Sequence, residues 1–503
     1  MRTILLSLLL VIHMVIVQAQ PTTATLDRFF DAMAANQQFS GNVLIAEHGK
    51  VLFRKSYGFA DFGKQLPNTP DIRFPIASIS KLLTATAILQ LQEKGKLNVS
   101  DAVRKLLPEF PYPEIKIRQL LSHTSGLPPY NRYFDSLRKE SPQRIFYNAD
   151  FLPQVAAHPV PLIYAPGDNG NYDNINYLVL ALVIEKASGM SYKEYIQKMV
   201  LRPANMRHTV FLPLTDQYNL QDVGKFAYPH LYRHRYDSFA IKANSVPYIR
   251  EYWTAYGFSG FGDYVSTVED LLLFDEAWYG HKLVSDISRD SAYKPQLLNS
   301  GTANRNLFGL GWEIAADSSN GLVVYHAGAA TGLSCVLLRN ISRRQTVILF
   351  DNAHFTAQAT GMKALSLLNN RTVPLPKKNI ATAYGRILMQ QGEAAAAKAF
   401  AEMEKDTATY FIDEEEINLL GYDLMGNDNP FHFPEEHHFR EALIVFKLNA
   451  DLFPGSWNAW DSYGEALLAN GRKEEAIAMY RKSMELNPNN ENGRKMLQQI
   501  EGK

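Results

Sequence analysis

The chain of 503 residues contains a single cysteine, Cys335, so it has no internal disulfide and no cysteine-rich metal site. It also has no excess of charge of either sign, because 51 basic residues match 51 acidic ones. This balance provides no basic surface and argues against nucleic acid as a partner. Beyond the first 20 residues, no run is long and apolar enough to predict a transmembrane helix. The length favours two or three domains.

The N-terminus has the pattern of a signal peptide over residues 1–19. Arg2 precedes an apolar run over residues 4–17, and Ala19 ends a short stretch of small residues that suits cleavage. A lipid anchor is not expected, because no cysteine follows the run. We therefore predict an exported protein. An uncleaved membrane anchor is the alternative, although the run is short for crossing a bilayer.

The arrangement of strand and helix patterns predicts an α+β fold. Residues 41–60 have the pattern of a hairpin with Gly49 at its turn, and residues 307–352 have strand patterns again. Helical spacing begins at Ser78, and residues 100–250 mix helical stretches with many Pro, Asn and Tyr. We expect one mixed antiparallel sheet closed by both ends of this region, flanked by helices and a helical subdomain.

The C-terminal part of the chain has a repeat pattern. Over residues 456–488, small residues occur where two antiparallel helices would approach, aromatic residues where they would fill the gap, and a proline at the end: Trp460, Gly464, Ala476, Tyr480 and Pro488. This pattern resembles the tetratricopeptide repeat. Two further copies are indicated upstream, one marked by Gly421, Ala442, Phe446 and Pro454 and the other by Gly385, Ala396 and Phe400. A capping helix is indicated downstream, over residues 490–501.

We predict a domain over residues 20–370, a linker over residues 371–379 and an all-α repeat domain over residues 380–503. The linker is indicated by the proline-rich stretch that starts at Pro374. The repeats have two possible roles that the sequence leaves open. They can hold a peptide or protein partner on their concave face, or they can pack on the preceding domain.

The first candidate for chemistry is the pair Ser78 and Lys81. Residues three apart share a helix face, so Lys81 would place its amine beside the serine hydroxyl. A serine needs such a base to become a nucleophile. The start of a helix also favours a developing anion. By itself the spacing is weak evidence, and an N-cap serine with a solvated lysine is the more common explanation.

Two further candidates follow along the chain. In the first, Tyr172 lies in a loop before a helix, where a nearby ammonium would lower its pKa, and Asn174 can both donate and accept. In the second, His326 ends a strand pattern and would be a polar or positive group, while Gly328 permits close backbone approach and Ala329 has an N–H for an oxyanion. Each has a structural alternative: an Asn-rich turn for the first and a structural histidine for the second.

Taken in order, Ser-x-x-Lys, Tyr-x-Asn and His-x-Gly resemble the serine β-lactamase and penicillin-binding protein superfamily, in its class C β-lactamase-like branch. Four other stretches resemble this branch as well: residues 74–77, 120–127, 264–267 and 309–312. The resemblance implies a β-lactamase-like fold and a serine hydrolase that forms an acyl-enzyme. Together with the signal pattern it implies a bacterial periplasmic location.

The resemblance also implies roles for the site residues. Ser78 would be the nucleophile, with Lys81 and Tyr172 sharing the general-base task as a coupled pair. The N–H groups of Ser78 and Ala329 would form the oxyanion hole. Asn174 would orient the acyl group, and His326 and Gly328 would line the substrate site. No metal or cofactor is required.

One departure from the branch affects the expected substrate. Its β-lactamases have Lys-Thr-Gly where this chain has His-Ala-Gly at residues 326–328, so a permanent cation is missing. D-Alanyl or D-amino-acid peptides, their amides, or small esters are therefore expected rather than efficient β-lactam hydrolysis. The alternatives are a penicillin-binding sensor that deacylates slowly, and a partner-binding protein scaffolded by its repeats.

Overall fold

The computed structural model describes residues 21–219, 225–304, 307–315, 320–426, 431, 433 and 436–502. Its largest sheet has six strands, and every neighbouring pair is antiparallel. In spatial order the strands are Glu313–Ala315, Val323–Ala330, Leu333–Asn340, Gln345–Asp351, Gly41–Glu47 and Lys50–Tyr57. The predicted closure of the sheet by both ends of this region is confirmed, because Gly41–Glu47 pairs with Gln345–Asp351.

Each face of the sheet is covered by helices. Pro21–Ala35 and Ala357–Leu368 cover one face and share an apolar core with it. The other face packs on Ser80–Glu93 and Val268–Tyr279, within the larger core of the molecule. The strands have near-continuous buried residues rather than an alternating pattern because both faces are covered.

Between the two sheet segments lies the predicted helical subdomain. Its helices are Ile117–Leu121, Asn131–Glu140, Asn148–Ala157, Ile175–Ser188, Tyr192–Ile196, Arg202–Ala204, Leu214–Asn219, Pro247–Thr254 and Asp286–Ala292, with single turns at Val103–Lys105, Gln197–Leu201 and Ala243–Ser245. Small sheets of short strands accompany these helices: Phe59–Asp61 with Leu66–Pro67; Phe74–Pro75, Tyr264–Ser266 and Val210–Phe211; and His230–Leu231 with Ile241–Lys242.

Two interior helices are buried on nearly all sides. Residues 80–91 of Ser80–Glu93 are buried, as are residues 175–184 of Ile175–Ser188. A helix that is apolar on every side belongs to the interior. These two helices contact each other and provide a rigid base for whatever lies at their N-termini.

The C-terminal region is all-helical, as predicted. Its helices form three antiparallel pairs and a final single helix: Ile380–Gln391 with Glu393–Met403, Glu414–Met425 with Phe439–Leu452, Trp457–Ala469 with Lys473–Leu486, and Glu491–Glu501. Short parallel strands, Lys378–Asn379 and Tyr410–Phe411, precede the first and second pairs.

Glycines let the paired helices approach as the repeat pattern predicts. A Cβ atom on Gly464 would lie 3.2 Å from the ring of Tyr480, and one on Gly421 would lie 2.5 Å from the ring of Phe446. Trp460 differs from the prediction that it fills the gap between its two helices. It is half-buried, and its indole N–H donates to the carbonyl of Pro454 in the preceding connection.

The first two helix pairs pack on a loop of the preceding domain, residues 232–237. Asp423 accepts hydrogen bonds from the backbone N–H of Arg235 (2.6 Å) and lies 3.0 Å from His234 Nδ1. Tyr236 packs against the repeat core. At least part of the repeat surface is therefore used for packing within the chain.

Within the described ranges, no helix combines the length and apolar character needed to cross a membrane. The predicted signal peptide, residues 1–19, lies outside those ranges.

Candidate active site

Ser78 lies in a tight turn directly before a buried helix. The turn, Ala77–Ile79, is a single 3-10 turn before Ser80–Glu93, so the α-helix begins two residues later than the sequence pattern indicates. Ala77 has φ +41°, a left-handed conformation that costs a residue with a side chain about 1–3 kcal/mol. Such strain persists only where surrounding structure imposes it, and it is common at functional sites.

Lys81 points back at the serine from the first turn of the helix. Its Nζ lies 2.8 Å from Ser78 Oγ and 2.8 Å from Asn174 Oδ1, and 3.3 Å from the carbonyl of Phe261. The side chain is fully buried, with the ring of Tyr172 4.8 Å from its nitrogen. The structure thus brings together residues from two separate motifs of the sequence and a third segment that contains Phe261.

Burial lowers the pKa of Lys81 to about 7, because loss of water destabilises the ammonium form. Three carboxylates oppose this shift without cancelling it: Asp173, Asp263 and Glu313. A substantial fraction of the amine is therefore neutral at neutral pH. A neutral amine within hydrogen-bond reach of a serine hydroxyl can accept its proton.

Tyr172 behaves differently from the sequence-based expectation. Its hydroxyl hydrogen-bonds with Ser78, which favours the phenolate, but desolvation is the larger effect and raises its pKa above the ordinary value near 10. The residue is 38% exposed, so desolvation is partial, but its direction opposes phenolate formation. Tyr172 is consequently a phenol at neutral pH, able to relay a proton, while Lys81 is the stronger candidate for the base.

A buried histidine that sequence reasoning did not single out supports the Tyr172 loop. The ring of His123 lies 4.2 Å from that of Tyr172, and its Nδ1 accepts the backbone N–H of Asp173 at 3.3 Å. Asn176 contacts the same Nδ1 at 3.2 Å and accepts the hydroxyl of Ser125 at 2.6 Å. Burial lowers the pKa of His123 well below its usual value, so the ring is neutral. The stretch over residues 120–127 was the available signal.

Asp263 and Glu313 were also missed, and each fixes backbone near the lysine. Asp263 accepts the N–H groups of Gly260 and Gly262 at 3.0 Å each, which holds the loop whose Phe261 carbonyl contacts Lys81. Burial raises its pKa to about 6. Glu313 accepts the N–H of Ala327 and contacts the Tyr325 hydroxyl, and burial raises its pKa to about 7. Each residue directly adjoins a stretch that resembles the branch, residues 264–267 for Asp263 and residues 309–312 for Glu313, but lies outside it.

The third motif lies within a strand rather than at its end. His326 is in the middle of Val323–Ala330, fully buried, and its Nδ1 lies 2.7 Å from the carbonyl of Ala327. That contact assigns the proton to Nδ1 and leaves Nε2 as an acceptor. Burial lowers the pKa of His326 to about 3. The imidazole of His326 is therefore neutral. Of the two roles predicted from the sequence, a polar or a positive group, only the polar one fits.

Gly328 allows the strand to reach the serine turn. A Cβ atom there would lie 2.6 Å from the carbonyl oxygen of Ile76 and 3.0 Å from the backbone nitrogen of Ser78. The close approach is thus between strand and nucleophile turn, rather than between strand and substrate as the sequence suggested. Ala329 follows on the same strand and is exposed. Its neighbour Gly328 is the residue of this strand that lies against the Ser78 turn.

A cavity of about 300 Å³ opens beside these side chains. Tyr172 and Asn174 form one wall, and the helical subdomain forms the rest, including Tyr130, Arg138 and Tyr256. Its size suits a small substrate group. In the part of the chain that is described, no three His, Cys, Asp or Glu side chains gather as metal ligands.

Comparison with known proteins identifies the family. Residues 26–369 match the Beta-lactamase family, and residues 457–500 match the Tetratricopeptide repeat. The chain belongs to the Beta-lactamase family. It is 32% identical over 390 residues to penicillin-binding protein 4* of Bacillus subtilis (strain 168), an alignment that covers 74% of this chain and 84% of that protein. The predicted membership in the serine β-lactamase and penicillin-binding protein superfamily is thereby confirmed.

Solved structures show the same fold. A penicillin-binding protein from Bacillus halodurans aligns with a TM-score of 0.56 at 25% identity, over 68% of this chain and 99% of that one. D-amino acid amidase from Ochrobactrum anthropi SV3, solved with L-phenylalanine amide, aligns with a TM-score of 0.54 at 18% identity, over 69% and 98%. The predicted β-lactamase-like fold is thereby confirmed for the catalytic part, with the repeats as an addition to it.

Proposed function

We propose that this protein is an exported serine hydrolase that forms an acyl-enzyme on Ser78. Its substrates are D-alanyl or other D-amino-acid peptides, their amides, or small esters. The observation that carries the proposal is the buried amine of Lys81, 2.8 Å from the serine hydroxyl, with its pKa lowered to about 7. A lysine kept neutral beside a serine supplies the adjacent base that a serine nucleophile requires.

In the acylation step, Ser78 Oγ attacks the substrate carbonyl while its proton moves to Lys81 Nζ. The N–H groups of Ser78 and Ala329 bind the oxyanion that forms. The carbon–nitrogen or carbon–oxygen bond to the leaving group then breaks, and the leaving amine or alcohol takes the proton from Lys81 through the Tyr172 hydroxyl. Asn174, whose Oδ1 is engaged by Lys81, has its amide N–H₂ available for the acyl group.

Deacylation reverses the proton path. A water molecule loses a proton to Lys81, directly or through Tyr172, and attacks the ester carbon. The carbon–oxygen bond to Ser78 breaks, and the proton returns to Oγ. His326 lines the site as a neutral acceptor and provides no cation for a substrate carboxylate. Its neutrality supports peptides, amides and esters over efficient β-lactam turnover.

The proposal is tested by intact-protein mass spectrometry after exposure to a fluorescent penicillin and, separately, to a fluorophosphonate, with Ser78→Ala alongside. We expect an adduct that maps to Ser78 and is absent in the variant. A penicillin adduct that persists without turnover would favour the slow-deacylating sensor. No adduct with either probe in folded protein would favour a binding role. Export is tested by N-terminal sequencing of the mature protein, which should begin at Gln20.

A further inference from the structure

The cavity beside the site contains charged groups that the proposed acyl transfer does not use. Its walls include two carboxylates, Asp135 and Asp173, and one guanidinium, Arg138. Asp173 lies between Tyr172 and Asn174 in the chain, so it belongs to the same loop as two site residues. A carboxylate on the same loop as two site residues is expected to influence which substrates bind. The inference that follows rests on the proposed function.

The walls suit a cation better than an anion. Three tyrosines line the cavity opposite the catalytic loop, and the rings of Tyr130 and Tyr256 lie 5.0 Å apart, edge to face. Tyr252 completes this aromatic side. Aromatic faces attract cations through their quadrupole, and the attraction grows as water is excluded.

The one cation of the cavity is already engaged by an aromatic ring. The guanidinium of Arg138 lies 5.2 Å from the ring centre of Tyr256. Among the described residues, the contact found for Arg138 is with this ring, and no ion pair joins it to Asp135 or Asp173. Neither carboxylate is therefore neutralised by direct contact with it.

Asp173 is the carboxylate best placed to meet a substrate. Its Oδ1 accepts the backbone N–H of Ile175 at 2.9 Å, which fixes the side chain at the start of Ile175–Ser188. The neighbouring Asn174 contacts Lys81, which in turn contacts Ser78, so the carboxylate is part of the catalytic loop itself. Asp135 is exposed on the opposite helix, Asn131–Glu140.

We propose that this cavity binds the free α-ammonium group of the acyl residue, with Asp173 as its ionic partner and the tyrosines as its walls. An α-ammonium is one carbon away from the carbonyl that Ser78 attacks, so a carboxylate on the catalytic loop is at a suitable depth. The preferred substrates are then amides, esters or peptides whose acyl residue is an amino acid with an unblocked amino group. N-acylated counterparts, which lack the charge, are poor substrates.

The test compares D-alanine p-nitroanilide with N-acetyl-D-alanine p-nitroanilide at pH 7, where the α-amino group is mostly protonated. The readout is the ratio of the two kcat/KM values. We expect the wild type to favour the free amine by at least about tenfold, the size expected for one charge-assisted hydrogen bond. Asp173→Asn retains an acceptor for the Ile175 N–H but loses the charge, so the ratio should fall by a similar factor.

The ratio separates recognition from catalysis. Asp173 also supports the ammonium form of Lys81, so its substitution changes the base as well. That change affects both anilides alike and cancels in the ratio. Glu140→Gln removes an exposed acid from the end of the helix that contains Asp135, outside the cavity, and should leave the ratio unchanged.

A ratio near one in the wild type, or an unchanged ratio in Asp173→Asn, would overturn this inference. An adduct on Ser78 in a protein that hydrolyses neither anilide would also overturn this inference. Acyl-enzyme formation on Ser78 would still be supported in that case. Failure of both anilides together with the absence of any Ser78 adduct would overturn the proposed function and this inference with it.

Discussion

At the scale of single residues, the site depends on a lysine that is costly to bury. A buried ammonium loses its hydration, and at Lys81 this loss exceeds the support from nearby carboxylates. The pKa of the amine therefore falls from the usual value for lysine to about 7. A tyrosine in the same surroundings shifts the opposite way, because for a phenol the charged form is the deprotonated one.

The lowered pKa of Lys81 and the raised pKa of Tyr172 predict the pH profile of acylation. The active form has Lys81 neutral and Tyr172 protonated, so the rate should rise with pH through a midpoint near 7 and stay level to at least pH 9. Stopped-flow acylation by a chromogenic ester between pH 5 and 9 measures it. Lys81→Arg, which stays charged, should lose the rise and at least about 100-fold in rate. A midpoint near 10 in the wild type would contradict a neutral lysine base.

His326 gives a second prediction at this scale. We expect His326→Ala to lower acyl transfer by about tenfold or more, because the variant loses the acceptor Nε2 beside the serine turn. The fold should be retained, although truncating a buried ring costs some stability. Single-turnover kinetics and thermal unfolding distinguish the two effects. An unchanged acylation rate in folded His326→Ala would refute a role for this residue.

The sequence was a good guide to residues with local patterns and a poor guide to the others. Ser78 and Lys81 share one turn, so their contact follows from spacing alone. Asp263 meets the lysine from a loop about 180 residues away, and no spacing rule connects the two. The neutrality of His326 and of Tyr172 depends on how many atoms surround each ring, a quantity set by the complete fold.

At the scale of elements, the site is a contact between one strand and one turn. Val323–Ala330 lies directly over the 3-10 turn that contains Ser78, and Gly328 leaves room for that contact. The sequence pattern ended this strand at His326, four residues before its end in the structure. Alternation is the usual signal of a half-buried strand, and here small residues and a buried histidine interrupt it.

The strand contact predicts the effect of one added methyl group. Gly328→Ala would place a Cβ 2.6 Å from the Ile76 carbonyl oxygen, so the strand or the turn must move. We expect at least about a 100-fold loss of acylation, since small displacements of reacting groups are that costly, with stability lowered by about 1–3 kcal/mol. Denaturant unfolding and single-turnover kinetics measure the two.

The matched control is Gly455→Ala, in the connection between the second and third helix pairs. No atom lies within 4 Å of an added Cβ there, and the backbone is not left-handed. Gly455→Ala should change neither the acylation rate nor the free energy of unfolding appreciably. Normal acylation by a folded Gly328→Ala protein would show that the contact between strand and turn does not set the geometry of the nucleophile.

At the scale of the whole molecule, the repeats are joined to the catalytic part through polar contacts. Arg386 of the first repeat helix donates to the carbonyl of Asp237 at 2.7 Å, and Arg235 pairs with Glu416 at 3.2 Å. The sequence left open whether the repeats bind a partner or pack on the neighbouring domain. The first two helix pairs pack on it, and the third pair and final helix are not part of these contacts. Binding of a partner by the repeats stays a prediction from the sequence.

The central contact of this interface, between Asp423 and the 232–237 loop, is pH-dependent. The hydrogen bond with Asp423 is the main reason that the pKa of His234 is raised, and Asp237 and Glu436 add to the effect while burial opposes it. A histidine with a raised pKa contributes its full stabilisation below its unfolded pKa of about 6.5 and loses it as pH rises through the folded value. Docking of the repeats should therefore weaken from pH 6 to pH 8.

Asp423→Asn tests this directly. The variant loses the charge that raises the His234 pKa, and weakens two hydrogen bonds at a buried position, at a cost of roughly 1–3 kcal/mol at pH 6. Calorimetric unfolding at pH 6 and pH 8 should show a larger deficit relative to wild type at pH 6. Asp451→Asn, which removes an exposed pair with Lys447, is the control and should show little deficit at either pH. An equal deficit for Asp423→Asn at both pH values would mean that protonation of His234 does not contribute to docking, and that the buried hydrogen bond to the Arg235 backbone accounts for the whole effect.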